Sequence, residues 1–156
     1  MKRFAELMGA ERFATGVVTY ADHFGDDYVQ NTRIVVLARF GQRVFTDAIV
    51  DTGALWCILN PQIADQISSQ ERMWLGDERL YVRGVLYRGR LFRLPITLMA
   101  DEGDDLTVEA TVFVPTFQAD EEWVHPNFLG LDGFLHRLRF AVDPAENAFY
   151  FGAMAD

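Results

Sequence analysis

The chain holds a single cysteine, Cys57, a single lysine, and no apolar run long enough to cross a membrane. One thiol excludes an intramolecular disulfide and any cysteine-cluster metal site, and it points to a reducing, cytoplasmic location. A span needs about 18 consecutive apolar residues, so no membrane partner is expected. The N-terminal "MKRFAELMGAERF" sets charges on both sides of a very short apolar stretch and does not read as a signal peptide. Positive charge is scarce as well: 14 lysines and arginines face 23 acids, a net charge of −9, which argues against nucleic acid as a partner. The three histidines, His23, His125 and His136, lack metal-ligand spacing. There is no Gly-rich phosphate loop, and Ser68-Ser69 has no Gly-x-Ser-x-Gly setting. Neither a metal nor a cofactor is expected.

What is present is a core. Half of the 156 residues are hydrophobic and 13% are aromatic, enough for one domain with a sizeable interior. Most of the periodicity is that of strands. "RIVVLARF" and "RVFTDAIV" around Gly41-Gln42 read as a hairpin with a two-residue turn. "MWL" and "RLYVRGVLY" around Gly76-Asp77-Glu78 read as a second, and "RLFRLPITLMA" with "LTVEATVFVP" as a third. "RLRFAVD" and "NAFYFG" around Pro144-Ala145-Glu146 make a last one. Two short helices are predicted: one capped by Asn60 with Pro61 at its first position, the other "DGFLHRL" with Asp132 as its cap. The fold class is therefore all-β with one or two short helices, closed or folded over like a barrel. Residues 1–30 have weaker periodicity and are read as an N-terminal arm with a helix or as an extra strand. Residues 31–156 form the main domain.

Charge is unevenly spread. Residues 72–93 carry six arginines against Asp77 and Glu78, whereas residues 101–122 carry eight acids and no base. The two blocks can attract each other or be ordinary solvated turns and strand faces.

The stretch "TDAIVDTGALWCIL" sets a carboxylate, Asp51, at the end of an apolar run, where an isolated ionised group would be costly to bury. It is either a turn residue or a catalytic acid. Two aspartates about 3 Å apart cannot both be ionised and share one proton. The ionised one takes a proton from water while the protonated one donates to a scissile carbonyl. In this reading Gly53 permits the tight turn and the Thr52 hydroxyl ties two such turns together.

"AIVDTGA" resembles the active-site motif of the retropepsin-like aspartic peptidases, the retroviral-protease type. "ATVFVPT" followed by "NFLGLDGFLHRL" is similar to that family's closing strand, with the apolar-apolar-Gly turn Phe128, Leu129, Gly130 leading into a helix. The Gly76 hairpin falls where the family places its flap, and "LYRGRLFRLPITL" resembles the strands after it. The likeness covers roughly residues 32–152, in the right order. It implies a single-lobed acid-protease fold in which each chain supplies one catalytic aspartate. Asp51, Thr52 and Gly53 would then be the catalytic motif, supported from beneath by Gly130. Ala54, Leu55, Trp74, Gly76 and Asp77 would meet a peptide or protein substrate, with packing on the barrel as the other reading of Trp74. No second Asp-Thr-Gly or Asp-Ser-Gly occurs, and Asp132-Gly133 lacks the middle hydroxyl, so the second carboxylate must be Asp51 of another copy. A C₂ homodimer follows. The C-terminal "AFYFG" is either a strand that pairs across that interface or a core-facing final strand.

The sequence also departs from the family. Leu55 and Leu131 stand where retroviral members carry an acid and an arginine, so an apolar contact replaces an ion pair. The flap has one glycine, Gly76, with Asp77 and Glu78 beside it disfavouring acidic substrates. "FQADEEWVHPN" is an insertion that covers the cleft edge or contacts a partner. Two rival readings are a catalytically silent dimer of the same fold that binds peptides, and a β-barrel binding module in which Asp51 is only a turn residue.

Overall fold

The apolar runs become strands. The computed structural model describes residues 13–23, 33–118 and 120–154. Within them lie strands β1 (Gly16–Thr19), β2 (Val35–Phe40), β3 (Val44–Val50), β4 (Cys57–Ile58), β5 (Met73–Val82) and β6 (Val85–Leu98). β7 (Glu102–Gly103), β8 (Leu106–Pro115), β9 (Phe128–Leu129), β10 (Leu138–Asp143) and β11 (Ala148–Ala153) follow. Among the described residues helix is confined to α1 (Pro61–Ala64) and a 3₁₀ turn at Leu135–Arg137, so the fold is mainly β.

One sheet runs β2-β3-β9-β4-β8-β6-β5, and a further pairing of β2 with β6 closes six of these strands into a ring. Closure leaves β5 as the projecting edge. β6 makes this possible by changing partners along its length. Its first half pairs with β5 as far as Arg93, and its second half pairs with β2 from Ile96. Pro95 falls in the gap between, where the missing N–H removes nothing from either ladder. The barrel interior holds Phe40, Leu94, Ile96, Leu98, Val112, Leu129 and Phe134, all buried. Each such side chain contributes about 1.5–3 kcal/mol by leaving water.

The second sheet has the order β10-β11-β1-β7. Residues 16–19, from the N-terminal segment, are thus a strand, while an arm or helix over residues 1–12 lies outside the described residues. β11 is flanked by β10 on one side and β1 on the other, with Phe149, Tyr150 and Phe151 buried. Of the two readings of "AFYFG", the core-facing strand is the one found. Both of its edges are used within the chain, so another copy has no free edge of β11 to pair with.

Several local expectations are corrected. The β2–β3 turn has three residues, 41–43, because Phe40 pairs with Val44. The second hairpin does not turn at Gly76. β5 runs through it to Val82, and the turn is Arg83-Gly84 between Val82 and Val85, with φ of +51° and +81°. Two successive residues in the left-handed region are what a tight two-residue hairpin needs. Gly76, at φ +150°, sits instead at a bulge where the register slips between Trp74 and Gly76. The Asn60 cap forms, its side chain accepting from the Gln62 N–H, but the helix lasts only four residues. "DGFLHRL" is a turn and a 3₁₀ segment, and Asp132 does not cap it.

The acidic block is partly accounted for by hydrogen bonds to the main chain. Asp101 accepts from the Thr19 N–H and Asp105 from the Ala100 N–H. Glu121 and Glu122 share the rim of one groove with Arg72 and Arg90, with no ion pair among them within the described residues.

Candidate active site

β3 delivers Asp51, and hydrogen bonds from a distant segment hold it there. Asp51 N–H donates to Leu129 O at 3.0 Å, because Ile49 and Val50 lie parallel to Phe128 and Leu129. The Gly53 N–H donates to Asp51 Oδ1 at 2.8 Å, and the Ala54 N–H to Asp51 O at 3.2 Å, which folds the motif into a tight loop. Beyond Gly130, the N–H groups of Leu131 and Asp132 donate to Ala54 O and Leu55 O, both at 2.8 Å. Two loops distant in sequence are thereby locked side by side. A Cβ on Gly130 would lie 2.2 Å from Trp56 O, so only glycine permits this approach.

Gly53 has a different role from the one its motif suggests. It is not among the left-handed residues. Among the described residues the one atom that an added Cβ would meet is Asp51 Oδ1, at 3.2 Å, so glycine here leaves room for the carboxylate.

Asn127 is a site residue that sequence reasoning missed. It is buried, accepts from the Asn60 N–H at 2.8 Å and donates to Asp47 O at 3.1 Å and Thr46 Oγ1 at 3.3 Å. It thus ties β3 to the start of α1. An asparagine directly before the apolar-apolar-Gly turn was the available signal.

Asp51 opens onto a cleft of about 500 Å³. One wall is the Asp51 loop with Gly53, Ala54 and Leu55; another is the hairpin tip, Leu80–Arg83; Arg33, Ile34, Ile49, Val50, Ile58 and Phe128 complete the lining. Asp51 Oδ2 has no hydrogen-bond partner among the described residues and is available to water or to a second carboxylate. No family model matches this sequence, and no curated protein matches it.

The residues singled out in the sequence divide accordingly. Asp51, Gly53, Ala54 and Leu55 line the cleft, with Leu55 48% exposed, and Thr52 is exposed beside them. Gly130 backs the loop. Trp74, Gly76 and Asp77 are absent from the cleft, because the hairpin turns seven residues later than the sequence suggested. Trp74 is 59% exposed at the far end of β5, and Asp77 lines a separate groove with Glu78, Arg79, Arg88 and Arg90. Arg83 and Tyr81, the latter 71% exposed, take the place assigned to them. Leu131 packs against the main core, and main-chain bonds rather than an ion pair join its segment to that of Leu55.

The insertion before Phe128 braces the hairpin from outside. Trp123 is buried in a second cluster with Val35, Ile49, Ile58, Val82, Phe113 and Phe128, against which Leu80 and Tyr87 also pack. Tyr87 meets Trp123 and His125 edge-on, with ring centroids at 5.1 and 6.0 Å, and its hydroxyl lies 3.2 Å from His125 Nε2. Among the described residues no group of His, Cys, Asp or Glu side chains is placed to hold a metal ion. Burial pushes the Cys57 thiol up to about 12, which leaves it protonated and unsuited to be a nucleophile.

Burial lowers the pKa of His125, and the charge of Arg83 acts in the same direction. The unfolded chain therefore takes up the proton more readily than the folded one. The stability tied to neutral His125 is complete above its ordinary value of 6.5 and is lost as pH falls from there through the lower folded value. Melting temperatures should fall over that window, and His125→Phe should remove part of the slope. Superimposable profiles for the two proteins would contradict this.

Proposed function

We propose that the protein is a retropepsin-like aspartic endopeptidase that acts as a homodimer, with one Asp51 from each subunit forming the dyad. The observation that carries this reading is the position of Asp51: among the described residues it is the sole carboxylate lining a cleft bounded by its own loop and by the tip of a projecting hairpin. A loop of Asp-Thr-Gly locked against an apolar-apolar-Gly turn is the arrangement the family resemblance implies. A single carboxylate per chain makes a second copy necessary for the chemistry. Exposure of Thr52 and Gly53 leaves the motif open to such a partner.

In the proposed reaction the ionised Asp51 takes a proton from a water held between the two carboxylates. The water oxygen attacks the peptide carbonyl carbon as the protonated Asp51 of the other subunit gives its proton to the carbonyl oxygen. The tetrahedral intermediate then collapses, a proton passes to the amide nitrogen, and the C–N bond breaks to release an amine and a carboxylic acid. Ile49, Val50, Ile58 and Phe128 make the cleft apolar enough to favour apolar side chains near the cut. No metal or cofactor takes part. The lone Cys57 fits a reducing, cytoplasmic compartment, and no helix among the described residues is long and apolar enough to cross a membrane.

Incubation of the purified protein with a peptide library tests the activity, and dilution tests the shared site. Specific activity is expected to fall as the protein is diluted below its dimer dissociation constant, in step with the sedimentation coefficient. A monomer that cleaves with constant specific activity would contradict the shared dyad. A silent peptide-binding dimer is the second reading, favoured by the exposed apolar Leu55 beside the motif; binding without cleavage would select it.

A further inference from the structure

The cleft differs in charge from what the sequence suggested. Asp77 and Glu78, which would have repelled acidic ligands, line a groove apart from it. In their place the cleft has Arg83 at the hairpin tip, with Arg33 before β2, and Asp51 is its one acid among the described residues. Arg83 is exposed, its backbone is held in the left-handed turn between Val82 and Val85, and it has no carboxylate partner among the described residues. Most of the remaining lining side chains are apolar, with the Tyr81 hydroxyl among them.

We propose that the cleft selects peptides carrying an aspartate or glutamate close to an apolar side chain, with Arg83 at the hairpin tip as the specificity-determining residue. The proposal rests on reading the cleft as a peptide-binding groove. The ligand carboxylate must lie at the Arg83 end, since beside Asp51 it would meet a like charge. A guanidinium offers a planar, bidentate fit to a carboxylate that apolar walls cannot provide. Because Arg83 is exposed, the gain is modest and falls with salt.

The test uses the Asp51→Asn protein, which binds without cutting, and labelled apolar peptides that differ only in glutamate or glutamine at one position, scanned along the chain. Fluorescence anisotropy is expected to show about three- to fivefold tighter binding of the glutamate peptide at particular positions on either side of the bound apolar side chains, because the twofold axis sets one Arg83 toward each end. Arg83→Gln should abolish that preference, Arg83→Glu should reverse it, and 0.5 M salt (roughly a 4 Å screening length) should shrink it. Arg83 is already a non-glycine residue at φ +51°, so glutamine adds no backbone strain. Equal binding of both peptides at every position, no binding of either, or a preference that survives Arg83→Gln and disappears only in Arg33→Gln would overturn the proposal. Cleavage by the wild-type protein is scored separately. Its absence, with the glutamate preference intact, would remove the peptidase reading and leave the ligand class standing.

Discussion

Asparagine in place of Asp51 is expected to lower peptide hydrolysis by about a thousandfold or more while leaving the fold intact. The structural part of this expectation follows from the loop. Asp51 Oδ1 accepts the Gly53 N–H at 2.8 Å, and an asparagine oxygen accepts the same bond, so the turn is kept. What is lost is the ability to take and return a proton at the open oxygen. Melting temperature and sedimentation should stay close to those of the parent. Mixing adds a sharper measurement. If equal amounts of the parent and Asp51→Asn chains exchange at random, about a quarter of the dimers carry two aspartates, and activity per dimer should fall to that fraction. A fall to one half would mean that each chain works alone with its own Asp51, and retained activity in the pure variant would remove Asp51 from the chemistry altogether.

Alanine at Gly130 is expected to be the most destabilising single-methyl change near the site. The added carbon would lie 2.2 Å from Trp56 O, 2.4 Å from Trp56 C and 2.9 Å from Ala54 O. All three are backbone atoms, so no rotamer change relieves the overlap. Overpacking in a core costs about 1–3 kcal/mol and occasionally more, and this case belongs at the upper end. For a domain of this length the melting temperature should drop by about 6–12 °C. Relief by separation of the two loops would break the bonds from Leu131 and Asp132 to Ala54 and Leu55, moving Asp51 with them. Activity should therefore fall further than the unfolded fraction explains. Gly84→Asn is the control: φ is +81° there but no atom lies within 4 Å of the added carbon, and asparagine tolerates that conformation. Its effect should be much smaller. Equal melting temperatures for Gly130→Ala and the parent would show that the loops are not held in register as described.

The Asp51 loop and the Asn60 cap were legible because each is decided over a few residues: a carboxylate ending an apolar strand and an asparagine before a proline carry a local reason for their geometry. Gly130 was pointed to by the family resemblance alone, and its need is set by the distant Trp56 carbonyl. The hairpin tip was not legible in the same way. Gly76 and Gly84 both offer a positive φ, and local sequence does not say which one turns the chain and which one relieves a bulge. The choice was made by pairing over the whole length of β5, which fixes Leu80 opposite Tyr87 and Val82 opposite Val85. Moving the tip from Gly76 to Arg83-Gly84 carried Trp74 and Asp77 out of the cleft and brought Tyr81 and Arg83 into it.

By itself, then, the order of residues determined an all-β chain, its strand-forming runs, and a carboxylate held in a loop of small residues. Those features depend on alternation, propensity and local hydrogen bonding, which act between near neighbours. Only the tertiary structure decided that β2 closes on β6, that β11 is enclosed on both edges, and that Arg33, Arg83 and Asp51 share one cavity. These depend on contacts between segments tens of residues apart, where register and burial select among pairings that the local sequence leaves equally open.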